Sequence, residues 1–194
     1  ATGTGFTMNA TATGLTSITS NAFDIVTVTV LLPGDFAIVA VNTSAESTGS
    51  ADEITFVSFK DISVGTQIFL TDNGYERVTA GLWGNTEGIV SLTRTGSALP
   101  KGTFVTIHSQ DGGIGDGTDF TISVCGVEDT NWTKNEISAT GKFDLNKDDQ
   151  VWFTQGGAWT NVNTGSHNTA YSGNVLYGWT DIAWKTAPGY ASTA

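Results

Sequence analysis

Residues 54–59 read ITFVSF and residues 67–71 read QIFLT. Both are short runs of aromatic and β-branched residues, and Asp72-Asn73-Gly74, a turn signal, closes the second. Such runs suit a pleated, half-buried surface and are too short for core helices. The pattern recurs as FDIVTVTVLL at 23–32, FAIVAV at 36–41, GIVSLT at 88–93 and TFVTIH at 103–108. It continues as FTISVC at 120–125, VWFT at 151–154 and VLYGW at 175–179. Pro33-Gly34-Asp35, Gly96-Ser97, Pro100-Lys101-Gly102, Asp111-Gly112-Gly113 and Gly156-Gly157 punctuate them, and each suits a tight reversal. This spacing predicts an all-β protein, an antiparallel β-sandwich of about nine or ten strands, jelly-roll or Ig-like, with an N-terminal strand extension. Short helical turns are expected near 128–136 and 181–186. Cys125 closes an apparent strand, where a small buried apolar residue is expected.

Composition narrows the partners. The chain has 194 residues, enough for one domain with an extension. Lys plus Arg is 8 and Asp plus Glu is 19, a net charge of −11. A phosphate-binding surface needs clustered cations, so nucleic acid is not an expected partner. Anionic membrane surfaces are disfavoured for the same reason. No apolar run approaches the roughly 20 residues of a membrane-spanning helix. The single Cys125 allows no internal disulfide. A Thr-, Ser-, Gly- and Asn-rich chain opening at Ala1 without a basic or apolar leader has the form of a mature secreted chain. That sets the expectation of an extracellular, cell-surface location. Sequons at Asn9, Asn42 and Asn131 matter only where the cell glycosylates Asn.

Two domains of unequal kind are expected, a strand extension over residues 1–20 and a sandwich over 21–194. The extension carries no charged side chain. Phe6, Met8, Ala10 and Ala12 alternate with Thr7, Asn9, Thr11 and Thr13, a period-2 pattern with one modestly apolar side. Such a segment completes its own sheet or a neighbour's. The second case is donor-strand pairing, which produces a homopolymer because the contact is heterologous and does not close.

From Pro33 the chain resembles a β-sandwich domain recurrent in bacterial secreted and surface proteins. Pro33, Gly34 and Asp35 match its opening turn. Asp61, Ile62, Gly65, Thr66 and Ile68 match a D-I-x-x-G-T-x-I segment, and Phe69, Thr71, Asp72, Asn73 and Gly74 match the F-x-T-D-N-G turn that follows. Gly102 to Ile107 and Phe143 to Phe153 resemble its later strand and hairpin. The resemblance spans residues 33–157, implies a secreted β-sandwich, and brings no catalytic residues.

Catalytic signals are sparse. A Ser or Cys nucleophile needs a base, and His108 and His167 are the only histidines. No nucleophile elbow, HExxH or zinc spacing occurs, so an enzyme is not expected. Calcium is the cofactor the sequence favours, because it takes oxygen ligands from flexible acidic loops. Asp111, Asp116 and Asp119 share a Gly-rich loop, and Asp72 and Glu76 form a second cluster. Asp144, Asn146 and Asp148 open like an EF-hand, but Asp149 stands where Gly is needed and Gln155 where Glu is needed. That segment therefore reads as a hairpin turn. Trp152 and Trp159 flank Gly156-Gly157 and could stack glycans, although Trp more often packs than binds. The favoured function is a secreted structural subunit of a filament or surface layer; the alternative is a carbohydrate-binding adhesion module, calcium-dependent or not.

Overall fold

The alternation of apolar and polar residues sorts each strand onto two faces, and the inward faces have to meet. The structure, a computed structural model, describes residues 2–42, 52–76, 81–84, 87–108, 120–137, 143, 145, 149–162 and 168–180. Among them there is no helix, and every strand pairing is antiparallel.

Short strands β1 (Gly3–Phe6), β2 (Asn9–Ala10), β3 (Ile18–Thr19) and β4 (Phe23–Ile25) come first. The body follows with β5 (Phe36–Asn42), β6 (Glu53–Ser58), β7 (Gln67–Thr71), β8 (Tyr75–Glu76), β9 (Leu82–Trp83), β10 (Ile89–Arg94) and β11 (Phe104–His108). It ends with β12 (Thr121–Val124), β13 (Val127–Glu128), β14 (Trp132–Glu136), β15 (Gln150–Gln155), β16 (Trp159–Thr160), β17 (Thr169–Tyr171) and β18 (Asn174–Thr180). A front sheet in the order β13-β12-β11-β6-β5 faces a back sheet in the order β14-β10-β7-β15-β18. Ten strands thus build the sandwich, and a small sheet, β16-β17-β9-β8, adds to it.

Ile54, Phe56, Val105, Ile107 and Ile122 of the front sheet meet Ile68, Leu70, Val90, Leu92, Val151 and Phe153 of the back sheet in one core. Phe36, Phe56 and Phe153 interlock across the two sheets at centroid spacings of 4.7, 4.7 and 5.2 Å. Each fully buried side chain of this size contributes about 1.5–3 kcal/mol through the apolar area it removes from water. At the sandwich margin Arg94 is enclosed. Its guanidinium bonds the Asp129 carboxylate and the Ser97 carbonyl, and lies over the Trp132 ring. Side-chain exposures of 3% and 9% make this a buried pair, whose rupture would strand a charge.

The structure corrects three expectations. Residues 127–128 and 132–136 are strands, not a helical turn; β14 extends the back sheet along all five positions of its register with β10. Its sequence, WTKNE, is that of an edge strand with one buried anchor, Trp132. Cys125 is exposed, not buried. It and Gly126 both have positive φ and form the two-residue turn between Val124 and Val127, as the twist of a tight hairpin requires. The apolar run at 23–32 is not one strand, because only Phe23–Ile25 enters a ladder. The expected turn at 181–186 lies outside the described residues.

The extension makes a ribbon with itself. Gly3 and Phe6 face Ile25 and Phe23, and Asn9 and Ala10 face Thr19 and Ile18. It therefore runs past residue 20, and its alternation breaks between β1 and β2, leaving Ala12 outside any strand. Residues 27–31 then fasten to the sandwich through their backbone. Thr29 N–H donates to Thr66 Oγ1 (2.9 Å), Leu31 N–H to Gln155 Oε1 (2.6 Å), and Gln155 Nε2 to the Thr29 carbonyl (3.0 Å). Ser63 Oγ reaches the Thr27 carbonyl, and Leu31 enters the core.

Candidate functional site

The N-terminal ribbon stands apart from the body. Its hydrogen bonds, such as Gly5 N–H to Asp24 and Met8 N–H to Ser20, stay within residues 2–25. Phe6 and Phe23 lie against each other with centroids 6.3 Å apart. Both remain exposed, as do Met8, Leu15, Ile18 and Ile25; Met8 and Ile18 reach 66% and 71%. The tether repeats this inversion: Thr27 and Thr29 bond the body, while Val26, Val28 and Val30 face water. Of the large hydrophobic side chains exposed among the described residues, two thirds lie between Phe6 and Leu32. An apolar surface concentrated this way marks a site of interaction. Phe6 and Met8, the larger apolar residues of the alternating pattern, and the smaller Ala10 are all on it and all exposed. Ala12 is exposed beside them. The sequence pattern missed Phe23 and Ile25, whose partnership with β1 depends on a reversal near Gly14, at positive φ.

The expected calcium ligands Asp111, Asp116 and Asp119 lie outside the described residues, as does the side chain of Glu76. Asp72 is fully buried at the end of β7. Its neighbour Asn73 clamps that end, donating from Nδ2 to the Thr71 hydroxyl and the Glu87 carbonyl. Because Gln155 at the end of β15 binds the backbone ahead of β5, the starts of β15 and β6 and the end of β7 share the opposite end of the sandwich. Asp149, Asp52 and Asp72 occupy those positions, all buried, and Asp52 accepts the Leu145 N–H at 3.1 Å. Among the described residues no three His, Cys, Asp or Glu side chains form a group able to hold a metal ion.

Trp152 and Trp159 do not form a shared platform. Each packs against Trp83, with centroids 5.3 Å away in both cases, and Trp83 is buried. Trp159 stacks on Tyr171 at 4.5 Å, and Trp152 Nε1 donates to Gln150 Oε1 at 2.6 Å. Both rings are partly buried in a second aromatic cluster with Phe69 and Tyr75. Burial also raises the Tyr171 hydroxyl above its ordinary pKa, and that hydroxyl donates to the Gly156 carbonyl at 2.9 Å.

One constellation was invisible in the sequence. His108 Nε2 lies 2.8 Å from Ser123 Oγ, and His108 Nδ1 lies 3.0 Å from Glu53 Oε1. The three residues stand on adjacent strands β12, β11 and β6, whose register aligns His108 with Glu53 and with Thr121. Residue order cannot reveal this, since it depends on which strands pair. A nucleophile of this kind also needs N–H donors aimed at the developing oxyanion. Ser123 sits in mid-ladder, where the strand amides bond to neighbouring strands. The chain Ser123–His108–Glu53 therefore reads as a polar staple across the front sheet.

Of the sequon residues, Asn9 and Asn42 are exposed on β2 and at the end of β5. Asn131 is exposed but donates its Nδ2 to Asp129 at 2.7 Å. No helix among the described residues is long and apolar enough to cross a membrane. The chain matches no family model, no curated protein and no solved structure, so its function is argued from its geometry.

Proposed function

We propose that this protein is a secreted structural subunit that associates with copies of itself, through its N-terminal ribbon, into an extracellular filament or surface layer. The observation that carries this reading is the concentration of exposed apolar side chains on residues 6–32, next to a sandwich whose own core is closed. A two-stranded ribbon whose one charged side chain is Asp24 offers unpaired backbone along both outer edges, and such edges pair with other strands. A two-stranded hairpin is marginal alone in water and gains stability when a third strand joins it. The ribbon contributes about 25 residues, within the size of one side of a standard interface. A ribbon at one place and an acceptor at another make a heterologous contact, which propagates as a filament. The acidic, disulfide-free composition supports a secreted setting, and the Ser123–His108–Glu53 chain, in mid-ladder, suits a structural role.

The test is sedimentation velocity and negative-stain microscopy of the full chain across a concentration series, beside the chain lacking residues 1–25. The full chain should form concentration-dependent polymers and the shortened chain should remain monomeric. A full chain that is monomeric throughout, or a shortened one that still polymerises, would refute the reading.

A further inference from the structure

The sandwich has four sheet edges, and they differ in chemistry. β14 carries Lys134 and Glu136, and β13 is two residues long and carries Glu128. Charges and short length protect an edge against added strands. β5, reading FAIVAVN, and β18, reading NVLYGWT, carry no charge, and these two edges lie next to each other on one side of the sandwich.

Of these two edges, β5 has the more receptive surroundings. Among the described residues it pairs with β6 on one side only. A bulge between Ile38 and Ala40 puts Val39 outside the regular register, and Val39 is 48% exposed. The outward face of the same sheet continues the apolar surface. Phe104 stands opposite Val57, which stands opposite Ala37 in the β5 register. Phe59, two residues beyond Val57, falls on the same side. Phe59 and Phe104 are both more than half exposed. Outside the extension, the exposed large hydrophobics of the described residues are Val39, Phe59, Phe104, Val127 and Tyr177. Of these five, Val39 is on β5 itself, Phe59 directly follows β6, and Phe104 is on β11 beyond it.

We infer that β5 is the acceptor edge: the N-terminal ribbon of a second copy adds to it, with the ribbon's apolar side chains lying beside Val39. This rests on the self-association reading above and names its missing half. The match is one of chemistry. The ribbon carries one charged side chain, Asp24, which already accepts the Gly5 N–H, and acceptor residues 36–42 carry none, so at most one carboxylate is desolvated when they meet. The charged edges β13 and β14 would add to that cost. The order of strands across the joint would then be β13-β12-β11-β6-β5 followed by the neighbour's ribbon, a front sheet continued from one copy into the next.

The test uses full-length chains carrying Val39→Lys on the acceptor, Phe6→Asp on the donor, and Thr133→Lys on the charged edge β14 as control. Val39 and Thr133 are exposed, so all three variants should keep the thermal melt of the sandwich; Ala40→Lys, at another exposed position of β5, serves as a second acceptor variant. Val39→Lys and Phe6→Asp should each raise the concentration needed for polymerisation at least tenfold, and Thr133→Lys should leave it within twofold. Mixing the Val39→Lys and Phe6→Asp chains should give a 1:1 dimer that grows no further, since one intact ribbon meets one intact edge. If Phe6→Asp blocks assembly while Val39→Lys and Ala40→Lys do not, β5 is not the acceptor, though self-association through the ribbon stands. If the acceptor variants block assembly but the mixture stays monomeric, the ribbon does not dock on β5 and the inference is overturned. If the unmodified chain never assembles, the inference and the reading beneath it fall together.

Discussion

Two nested truncations, removing residues 1–25 and residues 1–31, divide the N-terminal region into parts with opposite energetic roles. The first removes the ribbon, whose hydrogen bonds are internal and whose side chains are exposed. Its loss should change sandwich stability by no more than about 0.5 kcal/mol, as for other surface changes. The second also removes the tether. Leu31 is fully buried, and emptying a site of that size costs about 3–5 kcal/mol. Three hydrogen bonds link Thr29 and Leu31 to Thr66 and Gln155, and at a net value of about 1 kcal/mol each they add about 3 kcal/mol. A combined loss of about 6–8 kcal/mol corresponds to a Tm lower by about 12–32 °C for a chain of this size. Scanning calorimetry should use the Phe6→Asp chain as a monomeric reference, so that assembly does not enter the melting curve. The chain from residue 26 should melt within about 2 °C of that reference, and the chain from residue 32 far below it. A drop above about 5 °C on removing only residues 1–25 would refute the reasoning, because the ribbon would then pack on its own sandwich.

Other outcomes follow from the same structure. Burial pushes the Asp129 carboxyl upward, but the Arg94 guanidinium and the Asn131 amides outweigh it and hold its pKa below the ordinary value. A depressed folded pKa contributes stability that is present above the unfolded value and lost as pH falls through the folded one. Asp129→Asn should therefore cost about 3 kcal/mol near pH 7 by stranding Arg94, and calorimetry should show the gap to the parent chain narrowing below about pH 4; a gap independent of pH would contradict the pairing. If Asp111, Asp116 and Asp119 hold calcium, chelation should lower Tm by about 5–10 °C where the ion is at 100 times its Kd; coincident melts with and without chelator would remove that expectation.

Much of the sandwich was legible in the sequence because its inward residues alternate strictly. The runs at 54–59, 67–71, 88–93 and 103–108 became β6, β7, β10 and β11 within a residue or two at each end. β14 was missed for a physical reason. An edge strand that buries only Trp132 has little apolar pattern to show, and WTKNE reads equally well as a polar turn. The run at 23–32 misled in the opposite way. Its valines alternate like a core strand, yet the fold spends its threonines on the body and turns Val26, Val28 and Val30 to water. An inverted strand is indistinguishable from an ordinary one until the partner surface is known. The same limit hid the ribbon's return strand and the Ser123–His108–Glu53 chain, since both depend on contacts between distant residues.

Gln155 has a mechanical consequence. It stands at the end of β15, between β7 and β18 in the back sheet, and its amide grips Leu31, Thr29 and the Gln67 carbonyl together. In a row of copies joined through their N-terminal ribbons, any pulling force enters each body through residues 26–31. That load would not peel an edge strand from the sheet one hydrogen bond at a time. It would arrive at an interior strand braced on both sides, and Leu31 would have to leave the core before the tether slipped. Thr27, Thr29 and Leu31 would share the tension, so a strand's worth of backbone would serve as a strain relief between the soft joint and the rigid body.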